Sequence, residues 1–205
     1  MKVYGHNLSP FVRRVKIWLS LQGVSFSEDA VRVGGPDYER LLTISPSGRV
    51  PVLELDDGTR LTDSMAICDY LETEASAEKR LLPGANPARR DALQVFGQAN
   101  SVAEKAVALM YEAKRRPEEH RWPEWLERLK GQVIGGMGDL EAHCPEDGFF
   151  GGELPNGVDA VVVCAYDFVD FALADVIRAD APNVSALAER ANARPEIGRH
   201  HPKLA

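Results

Sequence analysis

Three short segments in the first third of the chain carry residue types able to do chemistry. Ser9 stands directly before Pro10. Serine caps the orphan amides of a helix start, and proline is tolerated at the first helical position, where its missing N–H costs nothing. The same arrangement favours a bound anion, because free amides and the positive end of the helix dipole converge there. A thiolate is such an anion; a free thiol of pKa about 8.5 is barely ionised at neutral pH without help. Asp63-Ser64 opens a second helix. Capping explains the pair, but a carboxylate beside a hydroxyl and free amides also suits a zwitterionic amino-acid head. Asp63 would pair the ammonium, and Ser64 with the helix terminus would hold the carboxylate. Val50-Pro51 leads into a strand, a position where proline is tolerated. Whether that bond is cis or trans is open at this level.

These segments need elements to position them. Lys2 to Gly5 reads as a short strand, and Phe11, Val15, Trp18 and Leu19 share one face of a helix that Gly23 ends. Alternation from Ser25 to Val33 predicts a half-buried strand. A short helix follows over Tyr38 to Ile44. Val50–Leu55 and Arg60–Thr62 flank Asp56-Asp57-Gly58-Thr59 as a hairpin, and a helix carries Met65, Ile67, Cys68 and Leu71. Turn residues from Leu82 to Pro87 mark the boundary, after which only helical periodicity appears. The expected organisation is an α/β domain over 1–75, a linker over 76–86 and an all-helical domain over 87–205.

Composition narrows the partners. The 205 residues carry a formal net charge of −7, which argues against a nucleic-acid coat or an anionic-membrane binder. No apolar run is long enough for a transmembrane helix, and the first residues lack a secretory pattern, so a cytoplasmic protein is expected. Cys68, Cys144 and Cys164 are widely spaced, with no metal-type cluster, and read as reduced thiols.

Taken together, the segments Tyr4–Val15, Ser45–Leu53 and Leu61–Ile67 resemble those of the glutathione transferase family in order, spacing and strand–helix context. The resemblance extends over the whole chain, because an all-helical second domain follows. It implies a thioredoxin-like first domain with Pro51 in cis, and Val50 backbone bonded to the cysteinyl part of glutathione. It further implies Ser9 as the catalytic hydroxyl, Arg49, Val50, Pro51, Asp63 and Ser64 as the glutathione site, and a homodimer. Glutathione would be co-substrate for a small electrophile, with no other cofactor and no metal. Position 9 is Ser, not Cys, and no Ser-Cys pair follows the first strand. Both features weigh against the omega-like, beta-like and maleylacetoacetate isomerase members and favour the tau-, theta- and phi-like serine classes. A non-catalytic interaction module of the same fold, or a glutathione-dependent dehalogenase or etherase, are the alternatives.

The remaining residues read as structure. Asn156-Gly157-Val158-Asp159 is a capping box before a strongly apolar helix. Tyr4 is expected in the core. Met110, Tyr111 and Trp122 have core-like helical spacing, with Met110 and Tyr111 also the candidates for an electrophile pocket. Arg13, Arg14, His200 and His201 are expected at the surface, Arg13 adding positive potential near Ser9.

Overall fold

The computed structural model describes residues 1–204. Its first unit comprises Met1–Leu82 together with the chain from Arg194 onward, and its second is Pro83–Ala193. The division falls inside the segment read as a linker. The tail does not follow the expected assignment: residues 194–204 pack with the first unit, not the helical one.

In the first unit, β1 (Lys2–Tyr4), α1 (Pro10–Leu21), β2 (Ser27–Asp29), α2 (Tyr38–Ile44), β3 (Val52–Glu54), β4 (Arg60–Thr62) and α3 (Ser64–Glu74) follow in order. The strands form one sheet in the order β2-β1-β3-β4. β1 runs parallel to β2 and antiparallel to β3, which runs antiparallel to β4. The strand expected over Ser25–Val33 shrinks to three residues. Its partner β1 leaves the ladder at Gly5, whose N–H makes a last bond to the Asp29 carbonyl at 2.8 Å. With no neighbour beyond that point, the chain turns away through Gly34 and Gly35, both at positive φ.

Helix α1 is buried from Val12 to Ser20, including Arg13, Arg14 and Lys16, each 1% exposed. That overturns the expectation of solvated arginines. The helix packs on β1, α3 and the short α8 (Pro195–Gly198) of the tail, so no side of it is left as a polar face. The tail also carries His200 inward, 3% exposed, against the surface position expected for it.

The second unit contains α4 (Ala88–Met110), α5 (Pro123–His143), α6 (Gly157–Ala172) and α7 (Pro182–Asn192). α4 packs on α5 and α6, and α6 packs on α7. The apolar α6 is the buried centre of this unit. Its capping box is complete. Asn156 Oδ1 accepts from Val158 N at 2.7 Å and Asp159 N at 3.3 Å, and Asp159 Oδ2 accepts from Asn156 N at 2.8 Å. Met110 is half-buried, but Tyr111 and Trp122 are 45% and 60% exposed, not core. α4 runs into a π turn at Tyr111–Arg115, whose wider winding breaks the 3.6-residue phase, and Trp122 lies outside the helix that follows it. No helix among the described residues is long and apolar enough to cross a membrane.

Candidate functional site

The sheet register brings the three chemical segments to one end. Tyr4 pairs with Val52, and Val52 pairs with Thr62. Because both pairings are antiparallel to β3, the chain after Tyr4, before Val52 and after Thr62 emerges on the same side. Those continuations are Gly5–Ser9, Val50-Pro51 and Asp63-Ser64. Ser9, Val50, Pro51, Asp63 and Ser64 are therefore neighbours by topology, although 55 positions separate the first from the last.

Gly5 permits the close approach. It has φ 131, and a Cβ there would overlap Val12 Cγ2 and stand 3.1 Å from Val50 Cβ. The turn it opens ends at Ser9, whose N–H donates to the His6 carbonyl at 3.0 Å. Arg32 Nη2 lies 2.8 Å from His6 Nε2 on the outer side of this turn. Burial, with Arg32 and Lys16 nearby, holds the His6 imidazole below its ordinary pKa.

Ser9 is the N-cap of α1 and is half-buried. Its Oγ accepts from Val12 N at 3.4 Å, longer than an ordinary N–H···O bond. The hydroxyl proton is donated to no group among the described residues. The arrangement leaves an O–H donor at the positive end of a twelve-residue helix.

Asp63 caps α3, its Oδ1 accepting from Met65 N at 2.9 Å and Ala66 N at 3.3 Å. It holds φ 69, the one positive φ of a non-glycine residue among those described, a costly conformation that clusters at ligand sites. Its carboxylate is exposed, whereas Ser64 is buried at 4%. The Val50-Pro51 bond is cis. Pro51 is buried and Val50 half-buried, while Arg49 is exposed and its backbone N–H donates to Ser45 Oγ at 3.2 Å. The geometry thus gathers Ser9, Val50, Pro51, Asp63 and Ser64, with the Arg49 side chain on the outside. Met110 and Tyr111 belong to the second unit.

Residues 8–74 match the family described as glutathione S-transferase, N-terminal domain, and residues 123–190 match glutathione S-transferase, C-terminal domain. The chain belongs to the glutathione S-transferase family. It is similar to a maleylacetoacetate isomerase of Pseudomonas aeruginosa, 29% identical over 98% of this chain and 96% of that protein. It is also similar to glutathione S-transferase omega-1 of Mus musculus, 27% identical over 78% of this chain and 62% of that protein. The chain thus spans less than two thirds of the mouse transferase. Among solved structures, a glutathione transferase family member from Pseudomonas fluorescens Pf-5 with bound glutathione has a TM-score of 0.82 at 25% identity, covering 98% of each chain. Ser9 and the missing Ser-Cys pair point towards serine-type transferases, while two of these relatives carry omega and isomerase names.

Sequence reasoning missed the charged residues buried behind the turn. Lys16 Nζ donates to Asn7 Oδ1 at 2.7 Å and to Glu28 Oε2 at 2.6 Å. His200 Nε2 lies 3.0 Å from Ser20 Oγ, which also accepts from Arg199 Nη2 at 2.7 Å. The available signal was positional: Ser9, Arg13, Lys16 and Ser20 step by four, three and four, a polar stripe along one face of α1 that is buried from Arg13 onward instead of solvated.

Proposed function

We propose that this chain is a glutathione transferase whose first unit binds glutathione at the gathered strand ends. The observation that carries the reading is Ser9, a hydroxyl at the start of α1 whose proton goes to no acceptor among the described residues. Its O–H donates to the glutathione sulfur and, with the helix terminus, lowers the energy of the thiolate relative to the thiol. The thiolate then attacks an electrophilic carbon; the new C–S bond takes the sulfur electron pair and the leaving group departs with its own. Ser9 keeps its proton throughout.

The remote parts of the tripeptide are assigned by chemistry. Val50 offers its backbone to the cysteinyl amide beside Pro51. Asp63 pairs the γ-glutamyl ammonium, Ser64 and the α3 amides take the γ-glutamyl carboxylate, and exposed Arg49 adds positive charge at the rim. Tyr111, exposed at a π turn, is the second unit's candidate for touching an electrophile, with half-buried Met110 beside it. A homodimer in the cytoplasm accords with the family, and sedimentation and cell fractionation test those two points.

Ser9→Ala should leave the circular dichroism unchanged and lower turnover on a chloronitroarene by about a hundredfold or more at neutral pH, the usual worth of one such donor. The loss should shrink at alkaline pH, where solvent ionises the thiol unaided. Unchanged turnover and pH profile would make Ser9 a helix cap only.

The similarity to maleylacetoacetate isomerase over nearly the whole of both chains favours a second reading, a glutathione-dependent isomerase. The two differ in stoichiometry. A transferase consumes one glutathione per turnover, and an isomerase returns it, so titrating free thiol against product separates them.

A further inference from the structure

We infer that Lys16 is a positioning residue for Ser9, acting through Asn7. The inference rests on the transferase reading and deepens it. Ser9 and Lys16 are seven positions apart, two turns along one face of α1. Side chains on a helix lean towards its N-terminus, so the four-carbon stem of Lys16 runs back beside the turn that carries Ser9. There its ammonium, 1% exposed, meets Asn7 Oδ1 at 2.7 Å and Glu28 Oε2 at 2.6 Å.

A buried ammonium is expensive unless it is paired and hydrogen-bonded. One carboxylate is enough to balance the charge, and Glu28 supplies it from β2. Glu28 is 41% exposed and reaches solvent without help, so the arrangement is not built for its sake. The contact that the charge balance does not require is the one to Asn7. Asn7 is the second residue of the four-residue turn from His6 to Ser9, closed by the 3.0 Å bond from Ser9 N to the His6 carbonyl. Gripping Asn7 from behind fixes the orientation in which Ser9 is delivered.

That grip matters because the helix fixes the Ser9 carbonyl, which accepts from Arg13 N at 3.0 Å, but holds the hydroxyl loosely. The capping bond from Val12 N to Ser9 Oγ is 3.4 Å long. A hydroxyl that must aim at sulfur therefore depends on the set of the turn before it, and Lys16 is the buried side chain that holds this turn, at Asn7. The base of the same lysine is anchored in turn. Its carbonyl accepts from Ser20 Oγ at 2.8 Å, and His200 Nδ1 lies 3.9 Å from Glu28 Oε1, so the tail closes over the far end of the cluster. The titratable and charged groups facing the ammonium are thus Glu28 from β2, His6 from the turn and, through Glu28, His200 from the tail, with Arg13 one turn back on α1.

The experiment compares Lys16→Met, Asn7→Leu, Asn7→Asp and the double variant Lys16→Met/Asn7→Leu. The readouts are kcat, KM for glutathione, and the pH at which enzyme-bound glutathione gives its thiolate absorbance. Lys16→Met and Asn7→Leu should each lower kcat about tenfold and move thiol ionisation to higher pH, with KM for glutathione within about twofold, since a small misplacement costs rate more than binding. Asn7→Asp keeps an acceptor for the ammonium and should stay near the parent. The double variant should be no worse than either single one, because both break a single contact. Asn7→Leu keeps the result readable if Lys16→Met does not fold. A silent Asn7→Leu beside an impaired Lys16→Met would mean that the lysine acts by charge alone, and positioning would be wrong; additive losses in the double variant would also overturn it. If Ser9→Ala is itself silent, the transferase mechanism has failed; if Ser9→Ala is impaired and these variants are not, only the role of Lys16 has.

Discussion

Acid should loosen the first unit through His200. The imidazole is 3% exposed and held down to about pKa 4 from an ordinary 6.5. Burial is the main cause, with Arg199, Lys16 and Arg13 adding to it and Glu28 opposing. In the unfolded chain the ring takes a proton as pH falls through 6.5, while the folded protein resists until about 4. The contribution of His200 to stability is therefore whole above 6.5, lost progressively below it, and gone by about 4. A gap of ~2.5 pH units at about 1.4 kcal/mol each corresponds to about 3 kcal/mol. Asp159 opposes this in the wild type. Burial pushes its carboxyl up to about 6, so the folded second unit gains stability as pH falls towards 4. A reporter confined to the first unit is needed, and Trp18 serves, being 0% exposed with its Nε1 donating to Glu72 Oε1 at 3.1 Å. With Trp122 and Trp125 replaced by Phe, urea unfolding followed by Trp18 fluorescence should show the parent losing most of that energy between pH 7 and 4.5. The His200→Gln variant in the same background should show a flat profile from this site. Parallel profiles for the two proteins would refute the burial of a neutral His200.

Asp63→Asn keeps an oxygen for the Met65 and Ala66 amides and removes only the charge, so KM for glutathione should rise about tenfold with kcat little changed in steady-state assays. Gly5→Ala must place a methyl into Val12 at φ 131, and should cost 2 kcal/mol or more, roughly, in urea unfolding of the first unit while lowering turnover. Asn156→Ala removes the acceptor of two α6 amides and should cost about 1 kcal/mol in the second unit, with glutathione KM unchanged in the folded protein.

The helices and the hairpin were legible because each rests on local rules. Ser9-Pro10, Asp63 and Asn156 all cap the helices read from them, and Gly58 sits in the hairpin turn with φ 85. The segments that make up the candidate site were legible for the same reason, since each is the start of a helix or strand. What failed were statements about surroundings. Arg13, Arg14 and Lys16 look solvated by residue type, but packing of α1 on three sides decides their burial. His200 stands near the end of the sequence, and its contact with Ser20 spans 180 residues, which no local pattern encodes. Tyr111 and Trp122 continue a helical spacing that the backbone itself abandons at a π turn and at a helix entry.

Because the chain from Arg194 returns to the first unit, the helical unit is, in chain order, an insertion. A ribosome delivers β1 to α3 early, yet α8 and His200, which cover α1, arrive only after the whole of Pro83–Ala193 has emerged. Domains made first ordinarily fold first during synthesis. Here the first unit begins first and finishes last. Until then Ser20 on α1 waits for both of its tail partners, His200 and Arg199.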